Sequence, residues 1–389
     1  MNILHVANSL DSRAGGIVSV LLPLANYQAR AGHSVTVCST NAAFPKGKLK
    51  VPKNLMHKID NVAYFYFDVD FGPLYFSSSL MHWLKQKLHS FDIVHIHGLY
   101  RFPVTYAAFL ARKNNLPYII APHGALDPFL YKQSANNLFL KRLYERFFDL
   151  PNLHAAKAIH FTAKEEMNLT SFLNLKTKGI IIPNGIDWAA YSSLPAKGAF
   201  RKSINVDKEA PLILFLGRLN FKKGLDILTQ SFSDLLAYLP SAKLAIVGPD
   251  NEGYGLKVRQ WCQDLSITDS VIFVDHLPQK EVIQAYVDAD VFVLTSYTEN
   301  FGMTVVEAMA SGCPVVISEH VNICHQVKEA NAGYVLPLDI DLIVDAMKAI
   351  LNDYETASIM GLSGRNFVQE NFTWEIIEES LHTEYLDLI

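Results

Sequence analysis

The stretch VFVLTSYTENFGMTVVEAMASGCPVVIS, residues 291–318, decides how the chain is read. It opens on an apolar run, 291–295, crosses a polar turn, 296–302, and continues as a helix-period segment, 303–311, stopping at Gly312 before a second apolar run, 314–318. Strand, turn, helix and strand make one βαβ unit. In open α/β sheets such a turn lies at the carboxyl end of a parallel strand, where the amides of the helix N-terminus attract anionic ligands. Glu299 stands in the turn and Glu307 about one turn inside the helix, with seven residues between them, so the two carboxylates can hold opposite ends of one ligand. A carboxylate accepts two hydrogen bonds and suits vicinal hydroxyls on a sugar or ribose. Phe301 offers an apolar wall, and Gly302, without a Cβ, lets the backbone approach a ligand closely.

The rest of the chain bounds this reading. At 389 residues it exceeds what one core usually covers, so two domains are expected. With 50% hydrophobic and 19% charged residues the composition is globular. A formal net charge of −4 supplies no field for nucleic acid. Cys38, Cys262, Cys313 and Cys324 are scattered without C-x-x-C spacing, and are expected to be reduced thiols in a cytoplasmic protein. The N-terminus, MNILHVANSL, reads as a first strand rather than a signal peptide, and no apolar run approaches the ~18 residues that span a bilayer.

In chain order, the run 3–7, the turn 8–16 and the helix-period segment 17–29 repeat the strand, loop, helix pattern, with Gly15-Gly16 at the helix entry. The loop lacks G-x-G-x-x-G spacing, which disfavours a nicotinamide dehydrogenase. The segment 44–58 carries Lys46, Lys48, Lys50, Lys53 and Lys58 and no acid; it reads first as a solvated loop and second as a patch for an anionic membrane surface. Asp68-Val69-Asp70 is a D-x-D tripeptide too common to imply a metal. Two apolar strands, 92–97 and 117–122, end in His97-Gly98 and His123-Gly124, which places both imidazoles at the rim where α/β sheets bind ligands. Residues 137–150 set Phe139, Leu140, Leu143, Tyr144, Phe147 and Phe148 at helical spacing opposite Lys141, Arg142 and Arg146, and predict a core-facing helix with a solvated basic face. The stretch 188–210 has no clear period and marks the domain boundary. After it the pattern restarts: a strand, 212–216, then Gly217-Arg218 and a cationic turn through Lys222, Lys223 and Gly224 into a helix, 225–239, a phosphate cradle by fixed charge and oriented amides together.

The strings Glu299-Asn300-Phe301-Gly302, Glu307-Ala308-Met309-Ala310 and Gly312-Cys313-Pro314-Val315-Val316 resemble the E-x₇-E signature of the retaining, nucleotide-sugar-dependent glycosyltransferases of family-4 type. The further elements above extend the likeness over nearly the whole chain. The resemblance implies the GT-B fold: two Rossmann-like, doubly wound α/β domains facing each other across a cleft. Residues 1–187 would form the acceptor domain, 188–373 the donor domain, and a last helix, 374–389, would pack back onto the first.

The resemblance also implies roles. Arg218, Lys223 and the helix start at Gly302-Met303 would hold the donor diphosphate, with Glu307 on the ribose and Glu299 at the sugar hydroxyls, and Gly217, Asn300 and Phe301 would be further nucleotide-sugar-binding residues. The 274–277 backbone, ending at Leu277, would read the base edge, with His276 where the family usually has a small residue. Gly15-Gly16 would approach the diphosphate and acceptor, His123 would contact the donor sugar near its reacting carbon, and His97 and Asp127 would line the acceptor side. The expected reaction is transfer from a UDP-sugar, or second a GDP-sugar, to a saccharide or lipid-linked saccharide, by front-face substitution with retention. No metal or other cofactor is expected, because the cations on the diphosphate take that role. An epimerase or hydrolase on the same fold, or a non-catalytic binding protein, are the other readings. The expected setting is the cytoplasm, with a peripheral place at the inner membrane face through the basic segments 46–58 and 132–146 as a further expectation.

Overall fold

The computed structural model describes residues 1–11, 13, 16–44, 47–129, 138–251 and 253–389. The chain divides into two units, Met1–Gly185 joined by Trp374–Ile389, and Ile186–Thr373.

The first unit is built on an eight-stranded sheet ordered β3-β4-β2-β1-β5-β6-β7-β8. The strands are β1 Asn2–Ser9, β2 Ser34–Thr40, β3 Met56–Ile59, β4 Val62–Phe67, β5 Ile93–His97, β6 Tyr118–Ala121, β7 Ala158–Phe161 and β8 Lys178–Ile181. All pairs are parallel except β3 with β4. Every residue of β5, β6 and β7 is buried, as expected for central parallel strands covered on both faces. One face packs Ile3, Ile93, Ile119 and Ile180 against Val20 and Leu24 of the helix Gly16–Arg30 and against Trp374, Ile377 and Leu381 of the helix Trp374–Leu388.

The β3–β4 hairpin corrects the reading of 44–58 as loop. Asp60 and Asn61 both take positive φ, 47° and 68°, the two-residue turn that suits a right-twisted hairpin. The lysines there are also less free than a solvated patch requires, because Lys53 and Lys48 lie 2.6 and 3.4 Å from the Asp68 carboxylate. Asp70 accepts from the Ser78 amide at 2.7 Å, so both acids of the D-x-D tripeptide serve local structure. Lys46 and residues 132–137 of the second basic segment lie outside the described residues.

A second correction concerns 137–150. The helix Leu138–Tyr144 and the π-turn Glu145–Asp149 bury their acids rather than their apolar face. Glu145 and Asp149 are buried, whereas Phe139 is 76%, Leu140 64%, Phe147 62% and Phe148 52% exposed. The inward face is held by hydrogen bonds: Asp149 accepts from Thr105 Oγ1 at 2.9 Å and the Tyr100 amide at 3.1 Å, and Tyr100 Oη donates to Glu145 at 3.3 Å. Spacing marks one apolar face but not which face the docking polar groups will take.

The second unit has a six-stranded, wholly parallel sheet ordered β11-β10-β9-β12-β13-β14. Its strands are β9 Leu212–Leu216, β10 Lys243–Val247, β11 Val271–Val274, β12 Val291–Leu294, β13 Val315–Ser318 and β14 Gly333–Leu336. From β9 the chain winds outward to β10 and β11, then returns to β12 beside β9 and winds the other way. That reversal makes the β9/β12 junction the switch point where doubly wound sheets bind ligands. All four cysteines are free and buried. Among the described residues, no helix is long and apolar enough to cross a membrane.

Candidate functional site

The loops after β9 and β12 meet at the switch point of the second unit. The Tyr297 amide donates to the Lys222 carbonyl at 2.7 Å, and Thr295 Oγ1 donates to the Gly224 carbonyl at 2.8 Å. Asn220 caps the short 3₁₀ turn Phe221–Lys223 by accepting from the Lys222 amide at 3.0 Å. Gly224 then starts the helix Leu225–Leu236 at φ +62°, and a Cβ there would sit 1.8 Å from the Thr295 carbonyl oxygen, so only glycine fits.

This clamp sets Lys223 against Glu299, and their ammonium and carboxylate are ion-paired with side chains 18% and 22% exposed. Glu299 is fixed through its backbone as well, donating to His320 O and accepting from the Asn322 amide, each at 3.1 Å. Arg218, just past β9, is exposed. Lysine and arginine stand beside the glycine turn opening one helix, and Glu299 precedes the glycine opening the next. Gly302 caps the helix Met303–Ala310 at φ +88°, where a Cβ would come 2.9 Å from Val321 Cγ1. The first amides of that helix have no partners within it.

Glu307, in the helix Met303–Ala310, is partly buried and accepts from Tyr286 Oη at 3.1 Å. Burial raises its carboxyl to about 7, against the opposing effect of the Tyr286 hydrogen bond. Met303 and Leu277 are partly buried against the core of the unit, and Asn300 is partly buried in the same turn as Glu299. Phe301 departs from expectation. It is 3% exposed and packs edge-on against Phe372 with centroids 5.8 Å apart, so it belongs to the core and not to a ligand wall.

In the first unit, His123 follows β6 in the left-handed region at φ +51°. Its turn is clamped by Glu166, which accepts from the Gly124 amide at 2.6 Å and from the amide and hydroxyl of Thr162 at 2.7 and 2.8 Å. His97 corrects a second expectation. As the last residue of β5 it is 1% exposed, and its Nδ1 lies 3.1 Å from His123 Nε2, so it lies beneath the rim rather than lining it. Asp127 accepts from the Phe129 amide at 2.8 Å and shapes the turn after His123. Gly16 opens its helix with open space where a Cβ would stand; Gly15 lies outside the described residues.

Two family sequence models cover most of the chain: "Glycosyltransferase Family 4" matches residues 14–189 and "Glycosyl transferases group 1" matches residues 196–367. The chain belongs to the family-4 type of glycosyltransferases. This glycosyltransferase is 25% identical over 384 residues to an uncharacterised glycosyltransferase of Methanocaldococcus jannaschii, covering 95% of this chain and 94% of the relative. An alpha-monoglucosyldiacylglycerol synthase of Streptococcus pneumoniae is 23% identical over 309 residues, 78% of this chain and 68% of the relative. Among solved structures, sucrose-phosphate synthase from Thermosynechococcus elongatus is similar at TM-score 0.77 and 21% identity, over 100% of this chain and 99% of that one. The Anabaena protein HepE, solved with UDP and glucose, is similar at TM-score 0.74 and 18% identity over 100% of both chains. The glycosyltransferase therefore has the GT-B fold, with two Rossmann-like α/β domains, the second built on a wholly parallel sheet and the first on one that is parallel apart from its β3–β4 edge.

Motif spacing pointed to Lys223, Glu299 and Glu307 in this glycosyltransferase, but not to the groups that hold them. Tyr286 reaches Glu307 across 21 residues, Thr295 reaches the Gly224 beside Lys223 across 71, and Glu166 reaches the Gly124 turn of His123 across 42, and nothing local to each pair marks it. The alternation His95-Ile96-His97 was a legible signal, since period 2 in a strand puts both imidazoles on one face.

Proposed function

We propose that the protein transfers a sugar from a nucleoside diphosphate donor to a saccharide carried on a lipid, with retention of configuration and without a metal. The observation that carries the reading is the Lys223–Glu299 pair at the β9/β12 switch point, beside the exposed Arg218 and the start of the helix Met303–Ala310. The two cations and the helix amides suit a diphosphate. They would stabilise the charge that builds on it as the glycosidic bond breaks, and removing one such group typically costs about 10²–10³ in rate. Glu307 would hold the ribose, Glu299 the sugar hydroxyls, and the 274–277 backbone the base, with UDP ahead of GDP.

Among the described residues no carboxylate stands out as a nucleophile for double displacement, which favours front-face substitution. In that reaction the acceptor oxygen bonds to the anomeric carbon while the bond to the departing phosphate oxygen breaks, and that phosphate takes the acceptor proton. His123 would support the sugar as positive charge develops.

The acceptor class rests on the first unit. A cavity of about 1210 Å³ is lined by Leu74, Leu99, Tyr100, Leu143 and Phe148, with Arg101 and Lys141 among its walls. Apolar walls with cations suit a lipid tail beside an anionic headgroup, and the exposed Phe139, Phe147 and Phe148 would rest on the membrane surface from which such a lipid is drawn. HepE was solved with UDP and glucose, and the pneumococcal relative is named for a glucosyl-diacylglycerol product, which supports both halves of this reading.

The test is calorimetric titration with UDP, GDP and ADP in the presence of a chelator, repeated on Glu307→Ala and Arg218→Ala. Binding of one nucleotide, weakened in both variants, directs the donor search to that nucleotide's sugars. Absence of binding to all three overturns the donor-site assignment. Release of free sugar without an acceptor product would instead favour a hydrolase.

A further inference from the structure

A row of imidazoles crosses one face of the first unit's sheet. His5 lies on β1, His95 and His97 on β5 and His160 on β7, all at most 5% exposed, and His123 follows β6. His160 Nε2 is 2.8 Å from the Ile182 carbonyl oxygen, and His160 Nδ1 is 3.2 Å from His95 Nε2. His95 Nδ1 is 2.7 Å from Tyr385 Oη, which lies 3.5 Å from Gln28 Nε2. Gln28 Oε1 is 2.7 Å from His5 Nε2, His5 Nδ1 is 2.9 Å from His97 Nε2, and His97 Nδ1 is 3.1 Å from His123 Nε2. His5, His95 and His97 are close enough together to hold a metal ion. A metal would have to take nitrogens already engaged, whereas the hydrogen-bonded row leaves no nitrogen of the four strand histidines unmet.

The direction of every bond in the row follows from its end. A main-chain carbonyl only accepts, and a neutral imidazole has one N–H and one lone pair. His160 must therefore donate from Nε2 to Ile182, leaving Nδ1 to accept from His95 Nε2. His95 Nδ1 then accepts the Tyr385 hydroxyl, whose oxygen accepts from the Gln28 amide. That orients Gln28, so its Oε1 accepts from His5 Nε2, His5 Nδ1 accepts from His97 Nε2, and His97 Nδ1 accepts from His123 Nε2. Burial keeps the row neutral at pH 7, holding His5 and His160 near 4 and His95 and His97 well below the usual histidine range.

We propose that this directed row, anchored at the Ile182 carbonyl, fixes His123 as the Nε2–H tautomer, so that its Nδ1 lone pair accepts a hydroxyl of the sugar. The inference rests on the assignment of His123 to the sugar made above. His5, His97, Gln28 and Tyr385 are positioning residues. The group received is a hydroxyl, because a lone pair repels phosphate or carboxylate oxygen.

Nuclear magnetic resonance of the full chain with ¹⁵N-labelled histidine reads the tautomers directly, with the His123 signal identified by its loss in His123→Gln. The expected result is a neutral Nε2–H form for His123 at pH 7. Tyr385→Phe keeps the ring but removes the hydroxyl that orients Gln28. His123 is then expected to populate both tautomers, and kcat for transfer to fall about tenfold while nucleotide affinity stays unchanged. A wild-type His123 that is Nδ1–H or protonated overturns the proposal. So does a single Nε2–H signal that persists in Tyr385→Phe. If the tautomers behave as described but His123→Gln transfers sugar at the wild-type rate, the row stands and the assignment of His123 to the sugar fails.

Discussion

Among the residues of the site, Glu307 is the one poised to titrate near neutral pH. Its carboxyl is raised to about 7 by burial, so near neutral pH it is divided between two forms with different hydrogen-bonding capacity. In the ribose role proposed above, the carboxylate would accept from both ribose hydroxyls, whereas the acid form gives up one acceptor oxygen to its own proton. Nucleoside diphosphate affinity is therefore expected to rise between pH 6 and 8, around the value of about 7 for Glu307, and to lose that slope in Glu307→Gln. Titration calorimetry across that range checks it, and an unchanged slope in the variant removes Glu307 from the ribose site. Lys223→Met tests the diphosphate. It leaves Glu299 without its ion-pair partner and is expected to cut kcat by about 10²–10³ while the fold persists. Gly224→Ala should act on the fold instead, because its Cβ would meet the Thr295 carbonyl at 1.8 Å; the β9 and β12 loops must part, and nucleotide binding is lost along with stability in a thermal melt.

At the scale of elements, the inverted helix of 138–149 separates docking from exposure. Asp149→Ala removes the acceptor for Thr105 Oγ1 and the Tyr100 amide, and is expected to cost about 1–3 kcal/mol in a urea titration. The double variant Phe147→Ser and Phe148→Ser removes exposed rings and should change stability by less than about 0.5 kcal/mol. Co-sedimentation with anionic vesicles is expected to fall sharply in that variant; undiminished sedimentation sinks the membrane role of the helix. The error in the sequence reading here has a physical source. Helical spacing shows that one stripe is apolar, but burial of the opposite stripe depends on Thr105 and Tyr100, which arrive from another segment. The β3–β4 hairpin escaped for a similar reason, since MHKI has no clean alternation and only Asp60-Asn61 signals its turn. By contrast the βαβ unit of 291–318 was legible almost to the residue, because strand, glycine stop and helix period all agree locally. Phe301 and His97 were placed at the right turn and strand but on the wrong side of the surface, which spacing alone does not decide.

For the molecule as a whole, the two units carry very different titratable interiors, and this predicts how the chain fails in acid. The first unit buries His5, His95, His97 and His160 and places His123 beside them, all with affinity for protons lowered by burial. A histidine whose folded value lies below its unfolded one binds more protons when unfolded. The stability tied to its neutral form is whole above about 6.5 and falls as pH drops from there toward about 4 for His5 and His160. Each such group contributes a slope of up to about 1.4 kcal/mol per pH unit. Asp149, raised to about 6, and Glu166, also raised, oppose the trend, because their protonation favours the folded state as pH falls. His33 is lowered and Glu378 raised in the same way, so six imidazoles stand against three carboxyls and leave a net loss, and a domain stable by about 5–15 kcal/mol has little reserve over two pH units. The second unit has no comparable histidine row among its described residues, and its Glu307 acts in the opposite sense. Urea unfolding followed by tryptophan fluorescence should therefore split into two transitions below pH 6, the earlier one belonging to Met1–Gly185 with Trp374–Ile389. Replacing His160 by Gln, which can still donate to Ile182, should move that first transition back toward its neutral-pH midpoint; a midpoint unaffected by pH in the wild type would show that the histidine row does not govern acid stability.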